Sequence, residues 1–273
     1  MDKIKFGIYE KAMPNSLTLR QKFDLARAAG YDQLELSVDE SREKLERLEW
    51  DPAARKKFVR TQAEHGMPVR TMCLSAHRKY PLGSRDKAVR ERSLGILSGA
   101  VDLAYDTGIR IIQLAGYDVY YEQGGDDTRA YFEENLEKSV RYASSSGVIL
   151  AFETMETDFM NTTEKAMRYV ERVNSPYLQI YPDIGNVTNG ADDPSADLET
   201  GKGHLAAAHL KETKPGVFRD LRFGEGRVDF ETLVPLLYGL GVRIFTCEFW
   251  YREGTDCQSE LERSLGYIKK YLK

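Results

Sequence analysis

Cysteine is scarce in this 273-residue chain: Cys73, Cys247 and Cys257 are an odd number, at distant positions, with no CxxC pair. That argues against a disulfide framework or a thiolate zinc cage and reads as reduced thiols used for packing. An excess of positive charge is missing too, since 39 Lys and Arg face 43 Asp and Glu for a formal net charge of −4. No global field would draw such a protein to a nucleic-acid backbone or an anionic membrane, so a small-molecule client is expected. Nor does any apolar run approach the roughly 20 residues a membrane helix needs. The opening MDKIKFGIYE passes into a strand-like pattern without an apolar leader, which makes the cytoplasm the expected location. No GxGxxG follows that first run, as a dinucleotide-binding open sheet would want, and no linker or low-complexity tract divides the chain.

What is present is alternation. Strand-like runs recur in KFGIYE, QLELSV, VRTMCLS, IRIIQLAG, VILAFETM, LQIYPDI, LAAAHLK and VRIFTCEFW, with helical periodicity between them, as in Leu261, Leu265, Ile268 and Leu272. Gly30, Gly66, Gly108, Gly147 and Gly241 each stand just before a strand-like run, where glycine ends a helix by taking the left-handed conformation at low cost. Eight near-continuous apolar strands alternating with helices are what a closed parallel (β/α)8 barrel requires, because its strands are covered on both faces. The expected fold is therefore α/β, a single TIM-barrel domain over residues 1–273, with the doubly wound open sheet as the alternative.

In such a barrel the C-terminal strand ends form one rim that carries the chemistry. The last four runs place Glu153, Asp183, His209 and Glu248 there, each about one βα unit from the next. A lone carboxylate at a strand end usually caps a helix or joins an ion pair. Four such groups on successive strands would repel one another unless a cation lay among them. Three carboxylates and one imidazole, with no thiolate, suit one divalent ion of the Mn²⁺, Co²⁺, Zn²⁺ or Mg²⁺ type.

The remaining candidates each carry two readings. His65 and His204 belong nearer the opposite, stabilising face, whereas His77 in LSAHRKYPLGS stands just past the third strand, to orient substrate or to cap its loop. Side chains two apart on a strand share a face, so Lys211 accompanies His209, to meet an anionic group or fill core. By the same rule Trp250 accompanies Glu248, to wall a pocket or pack the rim. Arg219 and Arg222 in KPGVFRDLRFGEGRVD are phosphate candidates, because barrels often hold phosphate after strands 7 and 8, or are ordinary solvated loop charges.

With these residues in place the chain resembles the L-ribulose/L-xylulose-5-phosphate 3-epimerases of the xylose-isomerase-like barrel group. The likeness runs over nearly the whole length and is carried by GIYEKAMP, LELSVDES, MCLSAHRKYPLGS, IQLAGYDVYYE, NSPYLQIYPDIGN, HLKET, FRDLRFGEGRVDF and the Glu248-Phe-Trp250 end of the last strand. It implies a (β/α)8 barrel with metal ligands at Glu153, Asp183, His209 and Glu248, the same four that the strand ends select. It also implies inversion at C3 of a ketopentose 5-phosphate through an enediolate, with Glu153 and Glu248 as the two proton-transferring residues, and a homodimer. The chain departs from the family at Glu156 and Glu212, where Asp is common, at Phe249, where Met is common, and in a short loop between Thr213 and Phe218. An aldose–ketose isomerase or a free-ketose 3-epimerase would share the metal and the enediolate. An apurinic endonuclease would need a histidine-rich multi-zinc site and a basic face, and a non-catalytic sugar-binding barrel would not exchange the C3 hydrogen.

Overall fold

Strands β1 (Lys5–Tyr9), β2 (Gln33–Ser37), β3 (Val69–Leu74), β4 (Ile111–Ala115), β5 (Ile149–Glu153), β6 (Leu178–Tyr181), β7 (Ala208–Leu210) and β8 (Ile244–Cys247) form one parallel sheet in a computed structural model that describes residues 4–272. Their order is β6-β5-β4-β3-β2-β1-β8-β7. The remaining seam, between β6 and β7, is joined by the isolated bridges Ile180–Leu205 and Asp183–His209, with the His209 amide donating to the Pro182 carbonyl at 2.9 Å. The barrel is thus nearly closed, as the alternating runs predict.

Helices α1 (Leu19–Ala28), α2 (Arg42–Leu45), α3 (Pro52–His65), α4 (Lys87–Thr107), α5 (Asp126–Ser145), α6 (Thr163–Val173), α7 (Ile184–Gly190), α8 (Pro194–Thr200), α9 (Phe230–Gly239) and α10 (Cys257–Lys269) lie between and after the strands. Their ends follow the sequence signals. Thr18, Asp51, Asp86, Thr162 and Asp229 accept backbone hydrogen bonds as N-caps, and all five helix-ending glycines have positive φ. None of the helices in the described residues is long and apolar enough to cross a membrane.

Two faces of each strand do different work. Outward residues such as Ile8, Leu34, Met72, Ile112, Phe152 and Phe245 pack with the helices in the main core. A smaller cluster of Ile111, Ala151, Tyr181 and Ala207 fills part of the barrel interior, where Gln33, Glu35, Thr71, Gln113 and Thr246 are also buried. Polar groups inside a barrel must be hydrogen-bonded to one another or serve a site. Beyond β1, the buried Glu10 is clasped by Lys22 (3.0 Å), Lys44 (2.5 Å) and Arg47 (2.5 Å), which ties that strand end to α1 and to the segment after β2.

Candidate metal centre

Glu153 closes β5, Asp183 follows β6, His209 lies in β7 and Glu248 follows β8. Each offers one ligand atom, and these atoms all lie within 4.8 Å of one another in a buried cluster. Local chemistry explains the convergence. Asp183 is also the N-cap of α7, its Oδ1 accepting from the Asn186 amide at 2.8 Å, while its own amide donates to Thr154 Oγ1 at 3.0 Å. Gly185 is required because a Cβ there would stand 2.7 Å from the Lys211 carbonyl oxygen. The PDIG sequence therefore turns the chain sharply enough to keep one Asp183 oxygen, Oδ2, for the cluster. Glu248 is fixed by its amide, which donates to the Leu210 carbonyl at 2.8 Å, and Glu153 Oε2 accepts from the Gln113 side-chain amide.

The charge balance of the cluster is unfinished. His209 Nδ1 lies 3.0 Å from Glu153 Oε1 and 3.4 Å from Glu248 Oε2, and Lys211 Nζ lies 2.7 Å from Asp183 Oδ2 and 3.5 Å from Glu248 Oε2. Asp183 Oδ2 and Glu248 Oε2 are nevertheless buried without an aligned hydrogen bond. Burial pushes the Asp183 carboxyl up to about 8 against the pull of Lys211, and burial together with Glu248 raises Glu153. Glu248 takes the opposite course: burial raises it, but Lys211 and His209 draw it well below the carboxylate range. Burial would lower both His209 and Lys211, yet the surrounding carboxylates hold each above its ordinary value. Three buried carboxylates converging with one imidazole, their oxygens met only by ion pairs to His209 and Lys211, are a donor set that could hold a divalent cation, so the residues fit such an ion.

Glu153, Lys211 and Glu248 open onto a cavity that is also lined by Lys11, Arg78, Arg219 and Trp250. Arg219 lies over the Trp250 ring, 4.6 Å from its centroid, and Lys11 pairs with Asp39 at 2.5 Å. Three other candidates already have partners within the protein. His77 does not line the cavity: it is buried, with Nε2 3.3 Å from the Ser93 carbonyl of α4, and Arg78 beside it faces the opening instead. Arg222 is engaged by Glu260 at 2.7 Å. Lys211 meets the Asp183 and Glu248 carboxylates rather than standing free for an anion. Sequence reasoning passed over Glu35 and Gln113, which touch His209 and Glu153. The available signal was a charged or amide side chain in the middle of an apolar strand, in QLELS and IIQLA.

Comparison with known proteins accords with this geometry. The xylose isomerase-like TIM barrel family matches residues 23–271. The L-ribulose-5-phosphate 3-epimerase UlaE of Salmonella heidelberg is 44% identical over 268 residues, covering 98% of this chain and 94% of the relative. The protein of the same name from Shigella flexneri is 43% identical with the same coverage. Among solved structures, D-allulose 3-epimerase from Methylomonas sp. shares the fold, with a TM-score of 0.81 at 19% identity over 98% of this chain and 97% of its own. Taken with a whole-length match, these findings show that the chain belongs to the L-ribulose-5-phosphate 3-epimerase family of xylose isomerase-like TIM barrels.

Proposed function

We propose that the protein is a metal-dependent isomerase, a 3-epimerase that interconverts L-ribulose 5-phosphate and L-xylulose 5-phosphate by two-base proton transfer. The observation that carries the reading is the buried Glu153, Asp183, His209 and Glu248 cluster at the barrel mouth, in a chain 44% identical to a protein named for that reaction. Those four residues would hold one divalent ion of the Mn²⁺, Co²⁺, Zn²⁺ or Mg²⁺ type. Bound there, it supplies charge stabilisation for the enediolate that forms when the C3 proton leaves. Glu153 and Glu248 are the proton-transferring pair: they come from the non-adjacent strands β5 and β8 and both line the cavity. One takes the C3 proton and the other returns a proton on the opposite face, with the roles exchanged in the reverse direction. Asp183 and His209, on neighbouring strands between them, act only as ligands.

Arg78 and Arg219 are the cations of the cavity lining suited to a phosphorylated substrate, and Trp250 backs Arg219. The functional form is read as a cytoplasmic homodimer, for which equilibrium sedimentation is the check. The activity itself is tested by incubating L-ribulose 5-phosphate and free L-ribulose with metal-loaded and chelator-stripped protein and separating the products. The proposal expects L-xylulose 5-phosphate from the loaded enzyme alone. A faster reaction on the free sugar, or an aldose product, would replace this assignment with one of the neighbouring activities.

A further inference from the structure

Glu35 stands in the middle of β2 with a wholly buried side chain. A carboxylate in a barrel interior is costly unless each oxygen is used. Both are: Oε1 lies 2.6 Å from His209 Nε2, and Oε2 accepts from the Tyr181 hydroxyl at 2.9 Å, which is itself 2.7 Å from Thr246 Oγ1. Tyr181 also meets the His209 imidazole edge-on, with ring centroids 4.7 Å apart. The two ring nitrogens therefore face different partners. Nε2 is held by Glu35, and Nδ1 faces Glu153 and Glu248 at 3.0 and 3.4 Å.

We propose that Glu35, braced by Tyr181 and Thr246, is a positioning residue that fixes which nitrogen of His209 binds the cation: by accepting the Nε2 hydrogen it commits Nδ1 to the metal. Outer carboxylates that orient a ligating histidine in this way typically contribute 10–100-fold to metal affinity. The arrangement spans β2, β6, β7 and β8, so it also couples the ligand's orientation to the barrel interior rather than to a loop. This inference rests on the metal reading of the cluster, and the experiment separates the two.

Stripped full-length protein is titrated with Co²⁺ against a chromophoric chelator for wild type, Glu35→Gln, Tyr181→Phe and Asp183→Asn. The expected result is tight binding by wild type, near-complete loss in Asp183→Asn, a 10–100-fold weaker Kd in Glu35→Gln and a smaller weakening in Tyr181→Phe. ¹⁵N-histidine spectra of Zn²⁺-loaded wild type should show Nε2 protonated and Nδ1 coordinated. If Glu35→Gln lowers the melting temperature of the stripped protein but leaves the Co²⁺ Kd unchanged, Glu35 is a structural partner only and the inference fails while the metal reading stands. Coordination through Nε2 overturns it in the same way. Should Glu35→Gln not fold, the Tyr181→Phe Kd and the nitrogen assignment still decide. Wild type that binds no Co²⁺, or binds it as well as Asp183→Asn does, removes the metal reading and this inference with it.

Discussion

Glu153 and Glu248 each have two oxygens, and the proposed chemistry uses both, one toward the cation and one toward the sugar. Glu153→Gln and Glu248→Gln should each lower kcat by about 10²–10⁴-fold, the usual worth of a general acid or base, with a small change in KM. Steady-state kinetics on samples of measured metal content checks this, and a variant that keeps wild-type turnover with metal bound removes its glutamate from the proton-transferring pair. These residues were legible in the sequence because each one closes an apolar run with a charge, which is costly unless something pairs it. Glu35 was not, although it is equally buried. It lies inside a strand, where the polar set Gln33, Glu35 and Ser37 alternates with Leu34 and Leu36. Only closure of the barrel shows that the polar face looks inward and the apolar face toward the helices. His77 had two readings in the sequence, orienting substrate or capping its loop, and only the short 3-10 turn Ser75–Arg78 shows its ring meeting the Ser93 carbonyl of α4 while Arg78 lines the opening.

At the scale of elements, the segment joining β7 to α9 is held by Glu212. Its carboxylate accepts from the amides of Thr213 (3.1 Å), Gly224 (2.7 Å) and Val228 (3.1 Å), and a Cβ on Gly226 would collide with that carboxylate and with the Thr213 carbonyl oxygen. This staple fixes the loop that carries Arg219 over Trp250. Glu212→Gln should cost about 1–3 kcal/mol of stability, and Gly226→Ala should raise KM for the phosphorylated sugar more than it lowers kcat. Urea denaturation and kinetics on the two variants would show it; unchanged values would mean that the loop is held otherwise. The sequence offered Glu212 only as a departure from Asp, because its amide partners lie up to sixteen residues further on. The turn under α4 gives a second prediction. Burial pulls His77 from its usual 6.5 to about 4, so the unfolded chain binds the extra proton between those values. The His77 contribution to stability is then fully present above pH 6.5 and is lost as pH drops toward 4, by about 3 kcal/mol at the acid end. Glu10, which burial raises but Arg47, Lys22 and Lys44 draw further down, adds a loss of the same sign below its ordinary range. His77→Gln should therefore remove this part of the slope throughout pH 6.5 to 4 and leave the Glu10 loss at more acid pH in place; an unchanged slope between pH 6.5 and 4 would refute the assignment.

Across the whole molecule, the weakest seam of the barrel is also the seam that the metal would cross. β6 and β7 share only isolated bridges, one of them between Asp183 and His209 themselves. A cation bound to both would close the barrel through its site as well as through its backbone. Saturating metal, at about a hundredfold over Kd, should add about 2.7 kcal/mol to stability. The gain in hydrogen-exchange protection should centre on the Ile180, Ala206 and His209 amides, which bond across the seam. Protection spread evenly over the strands would instead indicate simple global stabilisation. The overall fold was legible because apolar runs, helical stripes and helix-ending glycines agree along the chain; the thin β6–β7 seam was not, since LAAAHLK reads as a strand as full as its neighbours while β7 is only three residues long. Whether these strand ends grip a cation and invert one sugar carbon is decided by NMR of L-xylulose 5-phosphate with the metal-loaded protein in D₂O. A metal-dependent 3-epimerase puts deuterium at C3 and forms L-ribulose 5-phosphate; label at C1 or C2, or no exchange at any carbon with metal bound, would contradict that function.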